Sequence, residues 1–430
     1  MRYYSLSRQS PDVDFRQATI AGQAPDKGLY FPAQLPKLQE SFIGQLDQMS
    51  KEELAYEIMK PYIGNTIGEN ALRTIVAEAI NFPFPLVPVN EHMYSLELFH
   101  GPTLAFKDVG ARFMSRCLGY FSKNQNKKTT VLVATSGDTG GAVANGFLGV
   151  DAVEVVILYP SGKVSPVQEL QLTTCGQNIT ALEVEGSFDD CQAMVKDAFM
   201  DAALREHLQL TSANSINVAR WLPQQLYYFF AWQQWSDKEH PPVISVPSGN
   251  FGNICAGLLA RYSGLPIPAF IAACNVNDTV SDFLRTGVYT PKMAVSTLSN
   301  AMDVGNPSNL IRIIELFKVA GVPIHEILQS VTVTDAETVH CIRKVYDDHG
   351  YMLDPHGAVA YGALKSTIRA DQKGIFLETA HPVKFPDTVK KAIGKEPDLP
   401  ESIRPLLQLQ KKAIKMRPSF SELKEWLLKG

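Results

Sequence analysis

Short apolar runs that alternate with helical segments constrain the fold of this chain more than any other feature. Runs typical of buried strands occupy 130–134, 153–158, 243–246, 269–274 and 374–377. Helical patterns follow the first three of these runs, at 140–148, 166–173 and 252–262. Strands and helices in this order are typical of βαβ units and a parallel sheet. The sequence therefore predicts an α/β fold whose ligands bind on the loops that follow the strands.

The residues before this alternation are organised differently. Apolar residues spaced three and four apart predict helices over 51–62 and 70–80. The segment 82–88 then contains three prolines, which cannot continue a helix or pair as a central strand. We therefore expect a domain boundary there, with an N-terminal domain over 1–84 and a larger core over 85–430.

Composition narrows the class of protein and of partner. A chain of 430 residues is too long for one ordinary compact core. The net charge of −4 gives no reason to expect nucleic acid or an anionic membrane as partner. The six cysteines form no CxxC pair or Cys/His cluster, so no metal is expected, and they are interpreted as reduced core residues. The N-terminus lacks the apolar stretch of a signal peptide, and no run is long enough to cross a membrane, so the expected location is the cytoplasm.

Three of the predicted strands lead into unusual loops. Small hydroxyl residues and glycines occupy 135–141 and 248–253, and the third loop, 378–382, reads Glu-Thr-Ala-His-Pro. Glycines and free N–H groups at a helix N-terminus favour an anion. Neither glycine loop is a Walker A or GxGxxG motif, so nucleotides are not indicated. Each glycine loop taken alone is more often only a turn between strand and helix.

Lys107 suggests more specific chemistry. It follows Leu104, Ala105 and Phe106, and desolvation by such neighbours lowers the pKa of a lysine and makes its amine nucleophilic. The ordinary alternative is a surface lysine whose stem covers apolar residues while its head stays in water. A helix capped by Asp108 is expected to run to about Phe121.

Nine motifs carry a resemblance to one family. Four of them read FHGPTLAFKD (99–108), TSGDTGGA (135–142), SVPSGNFGN (245–253) and ETAHPVKF (378–385). The others read GLYFP (28–32), SGKVSPVQ (161–168), SANSINVAR (212–220), NVNDTV (275–280) and TLSNAMDVGNPSN (297–309). In this order they resemble the threonine synthase family, which uses pyridoxal 5′-phosphate (PLP). The resemblance implies PLP fold type II, with two α/β subdomains of parallel or mixed sheets, the cofactor between them, and a small N-terminal domain.

The resemblance also implies roles at the cofactor. Lys107 would be the catalytic Schiff-base lysine, and Thr379 would face the pyridine nitrogen with a neutral hydroxyl, which makes the ring a milder electron sink. The cofactor phosphate would be held by Gly249, Asn250, Phe251, Gly252 and Asn253. Asp138 would lie near the 3′-oxygen of the cofactor, where a carboxylate is unfavourable unless one of the two groups carries a proton. The role of Asp138 is therefore left open.

On the substrate side, Ser136 and Thr139 would bind the α-carboxylate. The substrate phosphate would be bound by Lys163, Ser165, Asn214, Ser215 and Arg220. Arginine can fork onto a phosphate and lysine supplies a point charge, although two solvated surface charges would look the same in sequence. Pro223 stands in a segment that otherwise has a helical pattern, so a change of geometry is expected just after Arg220. His100 and His381 lie near these motifs and receive no catalytic role.

The reaction implied by the resemblance is a β,γ-replacement. It converts O-phospho-L-homoserine and water to L-threonine and phosphate, the last step of threonine biosynthesis. One alternative is a phospho-lyase or dehydratase on the same scaffold that releases 2-oxobutyrate. A second is a non-catalytic PLP- or phosphate-binding protein, against which an intact Lys107 argues. The sequence does not specify the oligomeric state, allosteric regulation, or how the subdomains close.

Overall fold

The computed structural model describes residues 1–123 and 128–429 and contains helices and strands throughout. The strands are β1 (Arg2–Ser5), β2 (Val13–Asp14), β3 (Tyr30–Pro32), β4 (Leu86–Pro88), β5 (Met93–Glu97), β6 (Thr129–Ala134), β7 (Val153–Pro160), β8 (Ile179–Val184), β9 (Gln209–Thr211), β10 (Val243–Pro247), β11 (Phe270–Cys274), β12 (Leu328–Thr332), β13 (Gly374–Glu378) and β14 (Ile414–Met416). The helices are α1 (Phe15–Ala21), α2 (Glu40–Ile43), α3 (Lys51–Ile63), α4 (Glu69–Ala79), α5 (Lys107–Ser122), α6 (Asp138–Phe147), α7 (Pro166–Thr173), α8 (Phe188–Met200), α9 (Ala202–His207), α10 (Val218–Trp221), α11 (Leu226–Gln234), α12 (Gly252–Ser263), α13 (Thr279–Thr286), α14 (Leu310–Ala320), α15 (Asp335–His349), α16 (Pro355–Thr367), α17 (Pro386–Ile393) and α18 (Phe420–Lys429).

Two α/β subdomains carry the predicted parallel strands. One sheet has the order β14-β8-β7-β6-β9, and every pairing in it is parallel. The other has the order β12-β11-β10-β13-β5-β4 and is parallel except for β4. The predicted α/β class with parallel and mixed sheets is confirmed. The predicted strands and helices also lie within two residues of the observed ones at either end.

The proline-rich segment 82–88 forms a sheet edge. Its last residues make β4, which pairs antiparallel with β5 on one side only. Proline has no N–H to donate, so an edge is the position in a sheet where it is tolerated. The prolines therefore end the second sheet at β4.

The N-terminal residues form the small domain implied by the resemblance. The strands β1, β2 and β3 make an antiparallel sheet, and the helices α3 and α4 follow it. Phe15 on α1 packs edge-on against Phe113 and Phe121 of α5. Because these rings are buried together, the N-terminal residues share their core with the α/β subdomains.

Pro223 produces the expected change of geometry after Arg220. The helix α10 ends at Trp221, and a single turn of 3₁₀ helix over Leu222–Gln225 carries the proline in its first turn. The side-chain amide of Gln224 donates to the carbonyl oxygen of Arg220 at 2.9 Å, in place of a backbone bond that a continuous helix would make there.

No helix among the described residues has the length and apolar character needed to cross a bilayer.

Arg312 connects the small N-terminal domain to the loop before α10. Its guanidinium is fully buried and donates to the backbone oxygens of Tyr30, Ser215 and Ile216 at 2.6–3.1 Å. It also lies over the ring of Trp221, 4.4 Å from the centroid. Burial lowers the pKa of Arg312 to about 10. Since Tyr30 belongs to β3, one side chain joins the N-terminal sheet to the loop before α10.

Replacing Arg312 should therefore destabilise the whole chain. Arg312→Met leaves several buried carbonyl oxygens without a donor, and a loss of about 3 kcal/mol in the free energy of unfolding is expected. Urea unfolding followed by circular dichroism measures it. Arg285→Met is the matched control, because that guanidinium is 72% exposed and should change stability little. Equal stability of the two variants would contradict the role given to Arg312.

Candidate active site

A cavity of about 770 Å³ opens at the carboxyl ends of β6, β10 and β13, where both large sheets contribute loops. It brings together nearly all the residues that the sequence singled out. Those that line it are Lys107, Ser136, Asp138, Thr139, Lys163, Asn214, Ser215, Arg220, Gly249, Asn250, Phe251, Gly252, Asn253 and Thr379. Motifs far apart in the chain therefore form one site, as expected for loops at strand ends.

Ser165 is the exception. Its hydroxyl accepts a bond from the backbone N–H of Gln168 at 3.4 Å, while the Gln168 side chain accepts from the Ser165 N–H at 3.1 Å. This is a capping box at the start of α7. Ser165 does not line the cavity, so we leave it out of the phosphate-binding set. The Ser-x-x-Gln spacing in the sequence was the signal for this capping role.

Lys107 is the first residue of α5 and is fixed through its neighbours. The Phe106 N–H donates to the Thr379 carbonyl oxygen at 2.9 Å, and the Tyr227 hydroxyl donates to the Phe106 carbonyl oxygen. Among the described residues, no hydrogen bond or ion pair holds the Lys107 amine. Desolvation is the main cause that lowers the pKa of Lys107, Lys384 and Arg220 lower it as well, and Asp138 raises it, so that the pKa is about 8. An amine with this pKa is partly neutral near physiological pH and can act as a nucleophile.

The loop before α12 is suited to an anion. Its N-cap residue, Phe251, has φ +60 and no side chain that can cap the helix, so the first N–H groups of α12 lack helix partners. The Asn253 side-chain amide nitrogen is buried and has no partner among the described residues, whereas its oxygen accepts from the Tyr228 hydroxyl at 2.9 Å. A Cβ at Gly249 would lie 2.6 Å from the Cα of Met302. An uncapped helix end with a free buried donor fits a phosphate.

The same loop is braced by the segment 297–309. The side-chain oxygen of Asn250 accepts from the Ser308 N–H at 2.6 Å. Asn309 donates to the Asn250 carbonyl oxygen at 3.0 Å and to the Ser215 hydroxyl at 3.2 Å. Asn250 also donates to the Ser215 hydroxyl at 2.7 Å. Because that oxygen accepts twice, its own proton is left to donate into the cavity.

The loop after β6 presents two free hydroxyls. Thr135 accepts from the N–H groups of Gly137 and Gly140 at 3.0 and 2.8 Å, which fixes the turn. Gly137 has φ +133, and a Cβ there would lie 2.5 Å from the Gln168 side chain, so only glycine fits. Among the described residues nothing bonds to the hydroxyls of Ser136 and Thr139. Together with the first N–H groups of α6, whose N-cap residue Gly137 has no side chain, they can bind a carboxylate.

Asp138 is paired with a lysine that the sequence analysis missed. Its Oδ1 accepts from Lys384 Nζ at 2.6 Å and from Gln168 Nε2 at 2.9 Å, and both charged side chains are almost completely buried. Burial alone raises the pKa of Asp138, but Lys384, Lys107 and Gln168 together hold it below its usual range. Lys384 lies within ETAHPVKF, but nothing in that motif indicates that this lysine is buried.

Arg220 and Lys163 are the cations of the predicted phosphate site. Arg220 is 4% exposed and donates from Nη1 to the Ala213 carbonyl oxygen at 2.7 Å, while its buried Nε has no partner in the part of the chain that the structure describes. Burial lowers the pKa of Arg220 to about 10, so it stays charged. Lys163 is exposed. Asn214 also has a buried side-chain oxygen without a partner, so the polar groups here are not satisfied by the protein alone.

Three histidines lie nearby, and only one lines the cavity. His381 accepts from the Val383 N–H at 3.1 Å, and desolvation lowers its pKa to about 4. His100 bonds Glu97 at 2.6 Å, so both have structural partners. His356, which the sequence analysis did not select, lines the cavity and accepts from the Ala301 N–H at 3.2 Å. Its position follows from the packing of α16 and not from any local motif.

Comparison with known proteins identifies the family. A family model described as pyridoxal-phosphate dependent enzyme matches residues 83–377. Models for the threonine synthase N terminus and the threonine synthase C-terminal region match 2–80 and 357–426. Threonine synthase from Haemophilus influenzae is 45% identical over 431 residues, covering 100% of both chains. Threonine synthase from Escherichia coli (strain K12) is 42% identical over 429 residues, covering 100% of this chain and 99% of that one.

Solved structures agree with this result. The crystal structure of threonine synthase from Escherichia coli matches with a TM-score of 0.94 and 42% identity, covering 100% of both chains. PLP-bound threonine synthase from Brucella melitensis matches with a TM-score of 0.93 and 36% identity, covering 99% of this chain and 98% of that one. The site fits PLP, with a free amine at Lys107 for its aldehyde and a partnerless donor at Asn253 for its phosphate. The chain belongs to the threonine synthase family of PLP-dependent enzymes, with fold type II.

Proposed function

We propose that this protein converts O-phospho-L-homoserine and water to L-threonine and phosphate. The observation that carries the proposal is a single cavity holding a nucleophilic lysine and two separate groups of anion-binding residues. One group is the uncapped start of α12, and the other contains Arg220 and Lys163. A PLP enzyme needs one phosphate site for its cofactor, and a phosphorylated substrate needs a second.

The cofactor would be held by residues of the chain's own loops. In this proposal Lys107 binds it through its amine, the residues 249–253 hold its phosphate, and Thr379 faces its ring nitrogen. Bound PLP supplies an electron sink that stabilises negative charge on the carbons of the attached amino acid. When substrate displaces the Lys107 amine, that amine is free to move protons at the Cα, Cβ and Cγ of the substrate.

The substrate would be oriented by its two charged ends. Ser136 and Thr139, whose hydroxyls are free, and the start of α6 would bind the α-carboxylate. Arg220, Lys163, Asn214 and Ser215 would bind the phosphate that leaves from Cγ. Arg220 suits this task because its Nε is buried and without a partner, so a phosphate oxygen would satisfy it.

The phospho-lyase alternative is not favoured. A phospho-lyase would use the same cofactor chemistry as a threonine synthase. The two differ in whether the carbon skeleton of the substrate stays bound until water adds at Cβ. A cavity that excludes bulk water would favour retention. The segment 292–296 lines the cavity and is anchored where Asn277 exchanges two hydrogen bonds with the Val295 backbone, at 2.7 and 2.8 Å.

Other properties of the protein remain part of this proposal. Its substrate is a small molecule, with no nucleic acid or membrane involved, and its location is the cytoplasm. The domains are 1–84 and 85–430, and the family models that match 2–80 and 83–377 support a boundary near these positions.

The Schiff-base lysine can be tested by covalent trapping. Borohydride reduction of the yellow PLP-loaded protein should fix the cofactor to the peptide that contains Lys107. Lys107→Ala should lose turnover completely, because the motif offers no second lysine. Lys163→Met is the matched control from the same cavity and should still be labelled at Lys107. A label on any other lysine would disprove the assignment.

The phosphate role of Arg220 can be tested by a conservative change. Arg220→Lys keeps the charge but loses the forked geometry, so the KM for O-phospho-L-homoserine should rise about tenfold, or ~1.4 kcal/mol, with PLP affinity unchanged. Steady-state kinetics and a PLP titration measure the two effects. Arg285→Lys, at an exposed site, is the control. Equal loss of PLP affinity would place Arg220 at the cofactor, and an unchanged KM would remove it from the site.

The net reaction separates synthase from lyase. One threonine should form for each phosphate released from O-phospho-L-homoserine, with 2-oxobutyrate as a minor product. In heavy-oxygen water the label should enter the threonine hydroxyl, which mass spectrometry detects. Phosphate release with 2-oxobutyrate as the main organic product would mean that the protein is a phospho-lyase.

A further inference from the structure

Lys384 occupies an unusual position for a lysine. Its side chain is fully buried, which lysines almost never are unless they are paired. It lies on the 3₁₀ turn Pro382–Lys384 after β13, and its Nζ donates to the Thr103 carbonyl oxygen at 2.9 Å and to Asp138 Oδ1 at 2.6 Å. The ammonium therefore links the loop before Lys107 to the start of α6.

Asp138 uses its two oxygens differently. Both hydrogen bonds, from Lys384 and from Gln168, go to Oδ1. Among the described residues no bond goes to Oδ2, and that oxygen is not sealed away from the cavity that Asp138 lines. A carboxylate held by one oxygen presents the other in a fixed direction. Since an ionised carboxylate only accepts hydrogen bonds, the group that it faces must carry a proton.

Lys107 lines the same cavity as Asp138, and the two charges influence each other. Asp138 favours the protonated form of Lys107, whereas Lys384 and Arg220 oppose it. Asp108 is turned away, because both of its oxygens accept from Thr103. The other titratable side chains that line the cavity are His356 on α16, Asp189, Asp303, Lys163 and Lys292. Asp138 is therefore the one carboxylate that favours a proton at Lys107 among the described charged groups that influence it.

We propose that Lys384 and Asp138 act as a pair in which Lys384 keeps Asp138 ionised and oriented, and Asp138 keeps a proton on the nitrogen at Lys107. Lys384 is then a positioning residue that acts through Asp138. A buried carboxylate favours its neutral form unless a partner offsets the loss of water. Lys384 is the ion-pair partner of Asp138, so its removal should let Asp138 take up a proton.

This inference rests on the proposed role of Lys107, and it can be tested with and without cofactor. In the PLP-free protein, the pH dependence of acylation at Lys107, followed by peptide mass spectrometry, reports the pKa of its amine. In the loaded protein, the pH midpoint of the change in the visible spectrum reports the same nitrogen once the cofactor is attached. Neither measurement uses turnover.

Asp138→Asn should lower both midpoints by about one pH unit or more, because a neutral amide no longer favours the charged nitrogen. Lys384→Met should lower them as well, because Asp138 then takes up a proton. Lys384→Arg keeps the charge and should restore most of the difference, and it also serves if the methionine variant folds poorly. Lys390→Met, at an exposed ion pair with Glu396, is the control and should change nothing.

The direction of the Lys384→Met shift decides the proposal. Removal of a cation that acted directly on Lys107 would raise the midpoint, and that result would show that Asp138 stays ionised without Lys384. Unchanged midpoints in Asp138→Asn would show that Asp138 does not face the nitrogen. If borohydride labels a lysine other than Lys107, the proposed function fails, whereas the acylation result for the PLP-free protein still stands on its own.

Discussion

The active site depends on helices that begin without a side-chain cap. The helices α5, α6 and α12 start after Phe106, Gly137 and Phe251, none of which caps its helix. Ser50, Ser165 and Thr334 cap their helices in the ordinary way, whereas other helices, such as α4 and α14, also begin without a side-chain cap, so it is the meeting of the three uncapped starts that distinguishes the cavity. The N–H groups left free at the strand ends make the cavity attractive to anions. The parallel sheets bring these three helix starts together, so the fold itself creates the binding site.

Charge balance inside the cavity is the second constraint. Asp138, Arg220 and Lys384 are buried and Lys107 is partly buried, and the net effect on Lys107 is a lowered pKa. Only Asp138 and Lys384 pair directly. Arg220 keeps an unsatisfied Nε, and Lys107 has a free amine. The protein satisfies one pair of charges internally and leaves the other two for ligands, which is how a binding site differs from a structural ion network.

Local patterns predicted the elements that depend on local chemistry. Apolar runs located the central strands, and the glycine loops that were predicted to bind anions line the cavity, because both follow from a few adjacent residues. The buried ion pair of Lys384 and the place of His356 at the cavity were missed, and the capping bonds of Ser165 were not predicted. Ser165 was predicted to bind a ligand, whereas in the structure its hydroxyl caps α7 in a capping box with Gln168. Lys384 and His356 are set by burial between distant elements, which a single sequence does not reveal.

The motifs without an obvious role in cofactor binding now have structural roles. GLYFP contains Tyr30, whose carbonyl oxygen accepts a hydrogen bond from Arg312. TLSNAMDVGNPSN supplies Met302, Ser308 and Asn309, which contact the loop before α12. Both motifs therefore support the anion site from outside. Their spacing alone could not show this, because the contacts join residues more than fifty positions apart.

The most direct test of the account is a crystal structure of the PLP-loaded protein. Continuous electron density should join the cofactor to Lys107 Nζ. The cofactor phosphate should lie within about 3 Å of the backbone N–H groups of residues 249–253 and of the Asn253 side-chain nitrogen. A phosphate bound instead at Arg220, with the start of α12 empty, would contradict the assignment of the two anion sites.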